Sequence, residues 1–274
     1  MKFSVLMSVY KGENPGYLEQ CLKSLSDQTV SPNEIIIVED GPLTSELNDT
    51  IEKWCRFLPI LSLKHDSKIG VHNAWNLGLK KSSNELIARM DTDDIALSDR
   101  FDKQITFMKN KPEITLLGGQ ILEFQDSLEE KKIFRREVPV NEQEIIKFAK
   151  KRNPFNHMTV MYRKSPVIRV GGYRNIAGFR DYDLWVRLLH SGYKCTNLPD
   201  VLVYARVGNG LMERRTGMNY LRNEKKLFKE FYKIGFLNYS EYLKVLFLRV
   251  PLRLLPKKIL EKIYHKAIRK KTKM

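Results

Sequence analysis

Three carboxylates stand within four residues at Asp91-Thr92-Asp93-Asp94, directly after a largely apolar strand pattern at residues 85–90. Like charges this close repel one another, so folding alone does not favour them. In an extended chain Asp91 and Asp93 project to the same side. Two hard oxygen ligands at that spacing suit Mg2+ or Mn2+, which take further ligands from water and from a substrate phosphate. A cation held there neutralises charge on a departing diphosphate. The competing reading is an acidic turn in which Asp94 or Ser98 caps the next helix. Spacing leaves the two readings level, and position at the carboxyl end of a strand favours the metal.

Three further positions have candidate chemistry. Asp40 follows the β-branched run Ile35-Ile36-Ile37-Val38 and precedes Gly41-Pro42. Its carboxylate is placed either to accept hydrogen bonds from a nucleotide base or ribose or simply to form the turn. In Arg180-Asp181-Tyr182-Asp183-Leu184-Trp185, helical spacing sets Asp181 on the face of Leu184, Trp185 and Leu188. A carboxylate beside an apolar stripe is costly unless used, and it suits a general base acting on an acceptor hydroxyl. The plainer role for Asp181 is a cap or a favourable charge at the helix start, and spacing favours that role. Asp183 pairs instead with Arg187 at spacing four, a surface salt-bridge pattern. His157 is a metal ligand, an acceptor contact or a satisfied polar residue; taken alone, it fits the last best.

These residues need a scaffold that gathers distant segments. Strand patterns at residues 3–10, 34–39, 60–64 and 85–90 alternate with helical patterns at 17–25, 47–57 and 71–80. That alternation predicts an α/β fold with a parallel sheet and helices on both faces. Ligands bind such sheets at the carboxyl ends of the strands, so the chemistry is expected at Lys11-Gly12, Asp40-Gly41, His65-Asp66 and the acidic cluster. Beyond it the pattern gives a helix from Ser98 to about Asn110, a strand at 114–124 and an irregular charged stretch at 125–154. A strand at 158–163, a helix at 180–191, strands at 193–197 and 201–205, and helix from Met218 onward complete the expectation.

Charge divides the chain. Lys and Arg number 48 against 32 Asp and Glu, a net of +16. Residues 213–274 hold 18 basic and 5 acidic side chains, net +13, leaving +3 for the rest. A domain boundary is therefore expected near residue 210, after Gly208-Asn209-Gly210, with a body at 1–210 and a basic, amphipathic, helical extension at 211–274. A localised basic block interleaved with large apolar residues seeks an anionic surface. Within the extension, Ile259, Leu260, Ile263, Tyr264, Ala267 and Ile268 form a helical stripe among lysines, suited to an interfacial helix; its alternative is a terminal helix packed on the body. Cys21, Cys55 and Cys195 are far apart and form no CxxC pair, so buried, reduced thiols in a cytosolic setting are expected. The start of the chain is too polar for a signal peptide, and no run approaches the roughly 20 apolar residues of a membrane span.

Taken together, the segments Ser4-Val5-Leu6-Met7-Ser8-Val9-Tyr10, Glu34 to Gly41, Asn76-Leu77-Gly78-Leu79, Arg89-Met90-Asp91-Thr92-Asp93-Asp94 and Asp181 to Trp185 resemble family 2 glycosyltransferases, in the family's order. Residues 89–104 resemble bacterial enzymes that build O-antigen and exopolysaccharide repeat units. The resemblance covers residues 1–205 and implies the GT-A fold, Rossmann-like with flanking helices. It implies that Val9, Tyr10, Asp40, Asn76 and Asp91 bind the nucleotide of a UDP-sugar, that Asp93 with Asp91 holds Mn2+ or Mg2+, and that Asp181 is the base. It implies inversion, with galactose or glucose passing to an undecaprenyl-diphosphate-linked saccharide at the inner face of a bacterial membrane. Arg180 stands where the family usually has Glu; Arg180, His157 and Trp185 are expected on the acceptor side. The competing classes are an inactive or non-enzymatic basic-surface protein, a nucleic-acid binder and a sugar nucleotidyltransferase. The acidic cluster argues against nucleic acid, because it repels phosphate without a metal. Residues 10–14 supply no Gly-rich phosphate loop for the last.

Overall fold

The computed structural model describes residues 1–125, 128, 133–208, 217–254 and 270–271. The first half alternates as the pattern predicts: β1 (Phe3–Val9), α1 (Pro15–Ser26), β2 (Glu34–Glu39), α2 (Ser45–Trp54), β3 (Ile60–Leu63), α3 (Val71–Lys81) and β4 (Leu86–Arg89). Local chemistry starts the helices. Asn14 caps α1 by accepting from the N–H groups of Gly16 and Tyr17, and Pro15 sits at its first position. Thr44 caps α2 through the N–H of Leu47.

Strands β3, β2, β1 and β4 lie side by side and parallel. Their residues alternate between two cores. Leu6, Ile36, Val38 and Ile87 face one hydrophobic cluster; Val5, Met7, Ile35, Ile37, Leu86 and Ala88 face the other. A strand covered on both faces reads as a continuous apolar run, and each such Leu, Ile or Val contributes roughly 1.5–3 kcal/mol by burial. Helix α3 lies close against this sheet at Gly78, where a Cβ would stand 2.2 Å from Leu6 Cδ1 and 3.0 Å from Val38 Cγ2. Any larger residue at 78 would push α3 off the strands.

The second half departs from an all-parallel sheet. After β5 (Ile95–Ala96) and α4 (Arg100–Asn110) come β6 (Ile114–Phe124), β7 (Phe134–Arg136), α5 (Glu142–Ala149), a 3-10 turn (His157–Thr159) and β8 (Met161–Arg163). Strand β8 sits between β4 and β6 and is antiparallel to both. Then follow α6 (Lys164–Arg169), α7 (Arg180–His190) and β9 (Lys194–Arg206). The two strands expected at 193–197 and 201–205 are one. Strand β9 pairs in parallel with β6, and Leu198, Pro199 and Asp200 bulge opposite Gly119 alone. A proline without an N–H explains the apparent break. The stretch expected to be irregular holds β7 and α5, the latter capped by Asn141.

The change of charge near residue 210 is not a change of core. Helix α8 (Gly217–Lys233) buries Leu227, Phe228 and Phe231 in the cluster that contains Leu184, Trp185 and Leu188, and Val245 of α9 (Tyr239–Leu254) joins it. The body thus continues past the boundary expected from charge, with the basic side chains on its outside. Residues 209–216 and 255–269, with the whole of the expected terminal stripe, lie outside the described residues. Cys21 and Cys195 are buried, whereas Cys55 is exposed, because it follows the last turn of α2 on its outer side.

Candidate active site

The acidic cluster leaves the carboxyl end of β4, is gripped by Arg89 and Arg206, and is backed by Arg100. Arg89, fully buried, donates to the carbonyl of Leu6 and lies 3.5 Å from Asp91 Oδ1, with its guanidinium 4.7 Å above the Trp75 ring. Arg100, also fully buried at the start of α4, donates to the carbonyl of Arg89 (2.7 Å) and to Met90 Sδ. Burial lowers the Arg100 guanidinium to about 9, and the Asp94 and Asp91 charges oppose that fall. Arg206, at the end of β9, donates from its backbone to Asp94 Oδ1 (2.8 Å) and from Nε to the carbonyl of Asp93 (3.1 Å). Its guanidinium is sandwiched between Tyr17 and Phe124. A fourth acid joins: Glu13, after β1, accepts from Thr92 Oγ1 at 2.5 Å.

Capping explains none of this. No side chain caps α4, and Asp94 is buried and committed to Arg206. Burial, then the charges of Asp91 and Glu13, raise Asp93 from 3.8 to about 7. Asp94 is pushed up by burial and by its two neighbours. Among the described residues no three His, Cys, Asp or Glu groups form a ready-made metal cage. The donor set still fits a hard cation that keeps water and takes phosphate oxygens, since such an ion removes the penalty that raises Asp93. The sign of the pH effect follows. Asp93 binds its proton more tightly in the folded chain, so its contribution to stability is present below about pH 4 and lost as pH rises through about 7. The metal-free protein is expected to lose Tm on that rise, and Mn2+ to restore more Tm near pH 8 than near pH 5.5. An equal Mn2+ effect at both pH values, read by calorimetry, would detach Asp93 from the cation.

His157 stands between this loop and Asp181. Its Nε2 is 3.2 Å from Arg89 Nη2 and 3.5 Å from Asp91 Oδ1, and its ring packs 4.8 Å from Trp75. Arginine only donates, so Nε2 accepts and the proton sits on Nδ1. Burial lowers the imidazole, against the pull of the Asp91 and Asp181 charges. Asp181 lies in the first turn of α7 but caps nothing; Phe179 is the cap position and offers no side-chain bond. Asp181 Oδ2 accepts instead from Asn153 Nδ2 at 2.7 Å. Arg180 is half-buried, and burial lowers it against the opposing pull of Asp181. Burial and then the Arg180 charge depress His72 at the start of α3, which Asp40 pulls the other way. The ends of β1, β2 and β4 and the starts of α3 and α7 therefore lie within electrostatic reach of one another.

The remaining expected residues divide. Asp40 Oδ1 accepts from the N–H groups of Ile69 (2.8 Å) and Gly70 (2.7 Å), holding the entry to α3 rather than its own turn. Val9 is buried, leaving its backbone for contact, and its carbonyl accepts from the N–H of Asp40. Tyr10 is about half exposed. Asn76 is tied into the frame. Its amide donates to and accepts from the backbone of Tyr173 (2.8 Å each), a latch between α3 and the turn before α7. Gly172 leaves room for it: a Cβ there would stand 2.5 Å from Asn76 Oδ1. Trp185 is no acceptor contact, being 0% exposed and walled in by Phe155, Tyr162 and Tyr173. Asp183 does pair with Arg187, but in the interior, where Arg174 and Arg187 both reach it. The burial of α7 on nearly all sides inverts the surface reading.

Residues that sequence reasoning passed over are Glu13, Arg100, Arg206, Asn153 and His72. Arg100 had a local signal, as a cation six residues after three carboxylates. The others meet the site only through the fold.

Comparison with known proteins follows the same outline. Residues 4–176 match the profile of the family described as Glycosyl transferase family 2. The chain is 38% identical over 267 residues to the amylovoran biosynthesis glycosyltransferase AmsE of Erwinia amylovora, covering 96% of this chain and 98% of that one. It is 36% identical over 269 residues to the UDP-Gal:alpha-D-GlcNAc-diphosphoundecaprenol beta-1,3-galactosyltransferase of Escherichia coli, covering 98% and 97%. Among solved structures it superposes on the mannosyltransferase PcManGT of Pyrobaculum calidifontis, in complex with GDP-Man and Mn2+, with a TM-score of 0.67 at 15% identity, covering 97% and 75%.

Proposed function

This chain belongs to glycosyl transferase family 2 and has the GT-A fold, and from that premise we propose that it transfers a hexose, galactose or glucose, from a UDP-sugar to a lipid-linked saccharide with inversion. The observation that carries the reading is the pairing of an arginine-clamped acidic loop, with Asp93 raised to about 7, and a carboxylate at Asp181 whose charge reaches the same histidine as Asp91. One side neutralises a leaving diphosphate; the other accepts a proton. The likeness to the Escherichia coli galactosyltransferase supports UDP-galactose and a diphosphoundecaprenol-linked acceptor.

In the proposed reaction an acceptor hydroxyl loses its proton to Asp181 as its oxygen attacks the anomeric carbon. The bond from that carbon to the phosphate oxygen breaks, and UDP leaves with the electron pair. An α-linked donor gives a β-linked product. Asn153 orients Asp181, and Arg180 stands beside it in the first turn of α7. Tyr10, the backbone at Val9, and Asp40 are assigned to the base and ribose. Asp91 and Asp93 would hold Mn2+ or Mg2+, which supplies positive charge to the departing phosphates.

Among the described residues no helix is long and apolar enough to cross a membrane. The proposed setting is peripheral, at the cytoplasmic face of a bacterial membrane, as polymer repeat units are assembled on a lipid carrier. The test is a panel of UDP- and GDP-sugars incubated with the protein and Mn2+ or Mg2+. UDP release from UDP-galactose or UDP-glucose, rising with a GlcNAc-diphosphate-lipid acceptor, is expected. Release from GDP-sugars alone would overturn the donor assignment.

A further inference from the structure

Helices α5 and α9 border an open groove of about 630 Å³, lined by Ile146, Val245 and Leu248 and by lysines that include Lys147, Lys151 and Lys244. Beside it α9 turns large apolar side chains to solvent: Leu243 is 45% exposed, Leu248 55% and Phe247 79%. A phenylalanine so exposed between two leucines, on a helix that also lines a lysine-bearing groove, is the pattern of a helix that seats in a bilayer interface.

Charge identifies the occupant. Lys150, which also lines the groove, is paired with Glu241 at 2.6 Å, so the acid in the groove is already spent. The chain's own residues 255–269 have five Lys or Arg and one Glu, and a second copy would bring the same lysines to the contact. Both are repelled by these lysines, whereas an anionic surface is attracted by them. Position agrees. Lys150 and Lys151 line the groove, and Asn153, two residues on and so within roughly 8 Å along the chain, donates to Asp181. The groove thus adjoins the acceptor side of the candidate site.

We propose that the α5–α9 groove and the exposed face of α9 form a docking surface for an anionic lipid bilayer, with Leu243, Phe247 and Leu248 entering the interface and Lys147, Lys151 and Lys244 meeting the head groups. The proposal draws on the transferase reading only for its purpose, which is to bring Asp181 to a membrane-held acceptor.

The test is co-sedimentation of the full chain with phosphatidylcholine vesicles, with and without phosphatidylglycerol. Binding is expected only with phosphatidylglycerol, and it should weaken about tenfold in Phe247→Glu and in the pair Lys147→Glu with Lys151→Glu. All three sites are exposed, and wild-type circular dichroism is expected in both variants. In Phe247→Trp, the emission added by the new indole should shift to the blue when anionic vesicles are mixed in. Absence of wild-type binding, binding that ignores these substitutions, or a dimer that Phe247→Glu dissociates would overturn the proposal. The assay reads binding without turnover, so its result stands apart from that of the donor panel.

Discussion

Asp181→Asn is expected to lower kcat by about 10³-fold while leaving the affinity for the UDP-sugar within about twofold. The amide keeps the size of the carboxylate and can still meet Asn153 Nδ2 through its oxygen, so the first turn of α7 should hold its place. What it loses is the capacity to take a proton. Because α7 is capped at Phe179 without any side-chain bond, no cap is removed, and Tm should stay within a few degrees. Single-turnover kinetics separate the step lost from the binding retained. Unchanged kcat would remove Asp181 from the chemistry and leave it a charge that merely suits the helix start.

Asp93→Asn should lower kcat/KM by about 10²- to 10³-fold, the scale seen when one fixed electrostatic partner of a transition state is lost. Its effect on stability should have the opposite sign. In the metal-free protein the Asp93 carboxylate is raised to about 7 by burial and by its acidic neighbours. A neutral amide removes that cost, so metal-free Asp93→Asn is expected to melt higher than wild type near pH 8 and by a clearly smaller margin near pH 5. The dependence of UDP affinity on Mn2+ should vanish with it. A variant less active and also less stable at both pH values would mark Asp93 as a structural residue.

Much of the fold was legible because its signals are local. The predicted strand at 114–124 coincides with β6, and the β-branched run of β2 and the stripe of α1 need only the pleat and the helical period. Failures begin where one element depends on another. The break in β9 at Pro199 reads as a gap until β6 runs alongside it. Helix α5 is eight residues long, too short for its period to stand out. The charge step at residue 210 suggested a boundary, but Phe228 and Phe231 pack where only tertiary structure could place them. The site divides in the same way. Asp40, Asp91, Asp93 and Asp181 sit at the ends of elements that the pattern located. Arg206 is more than a hundred residues from the loop it clamps, and Asn153 is 28 from the carboxylate it orients. Trp185 failed for a simpler reason: a motif names residues that recur together, without separating those that meet the ligand from those that hold the frame.

One measurement bears most directly on the proposed chemistry. UDP release should be followed with UDP-galactose and a GlcNAc-diphosphate-lipid acceptor in Mn2+, then in excess EDTA, then with Mn2+ restored. Turnover is expected to fall to background in chelator and to return with the ion. Undiminished turnover in excess EDTA would contradict the assignment of the acidic loop as the place where a cation takes up the charge of the leaving diphosphate.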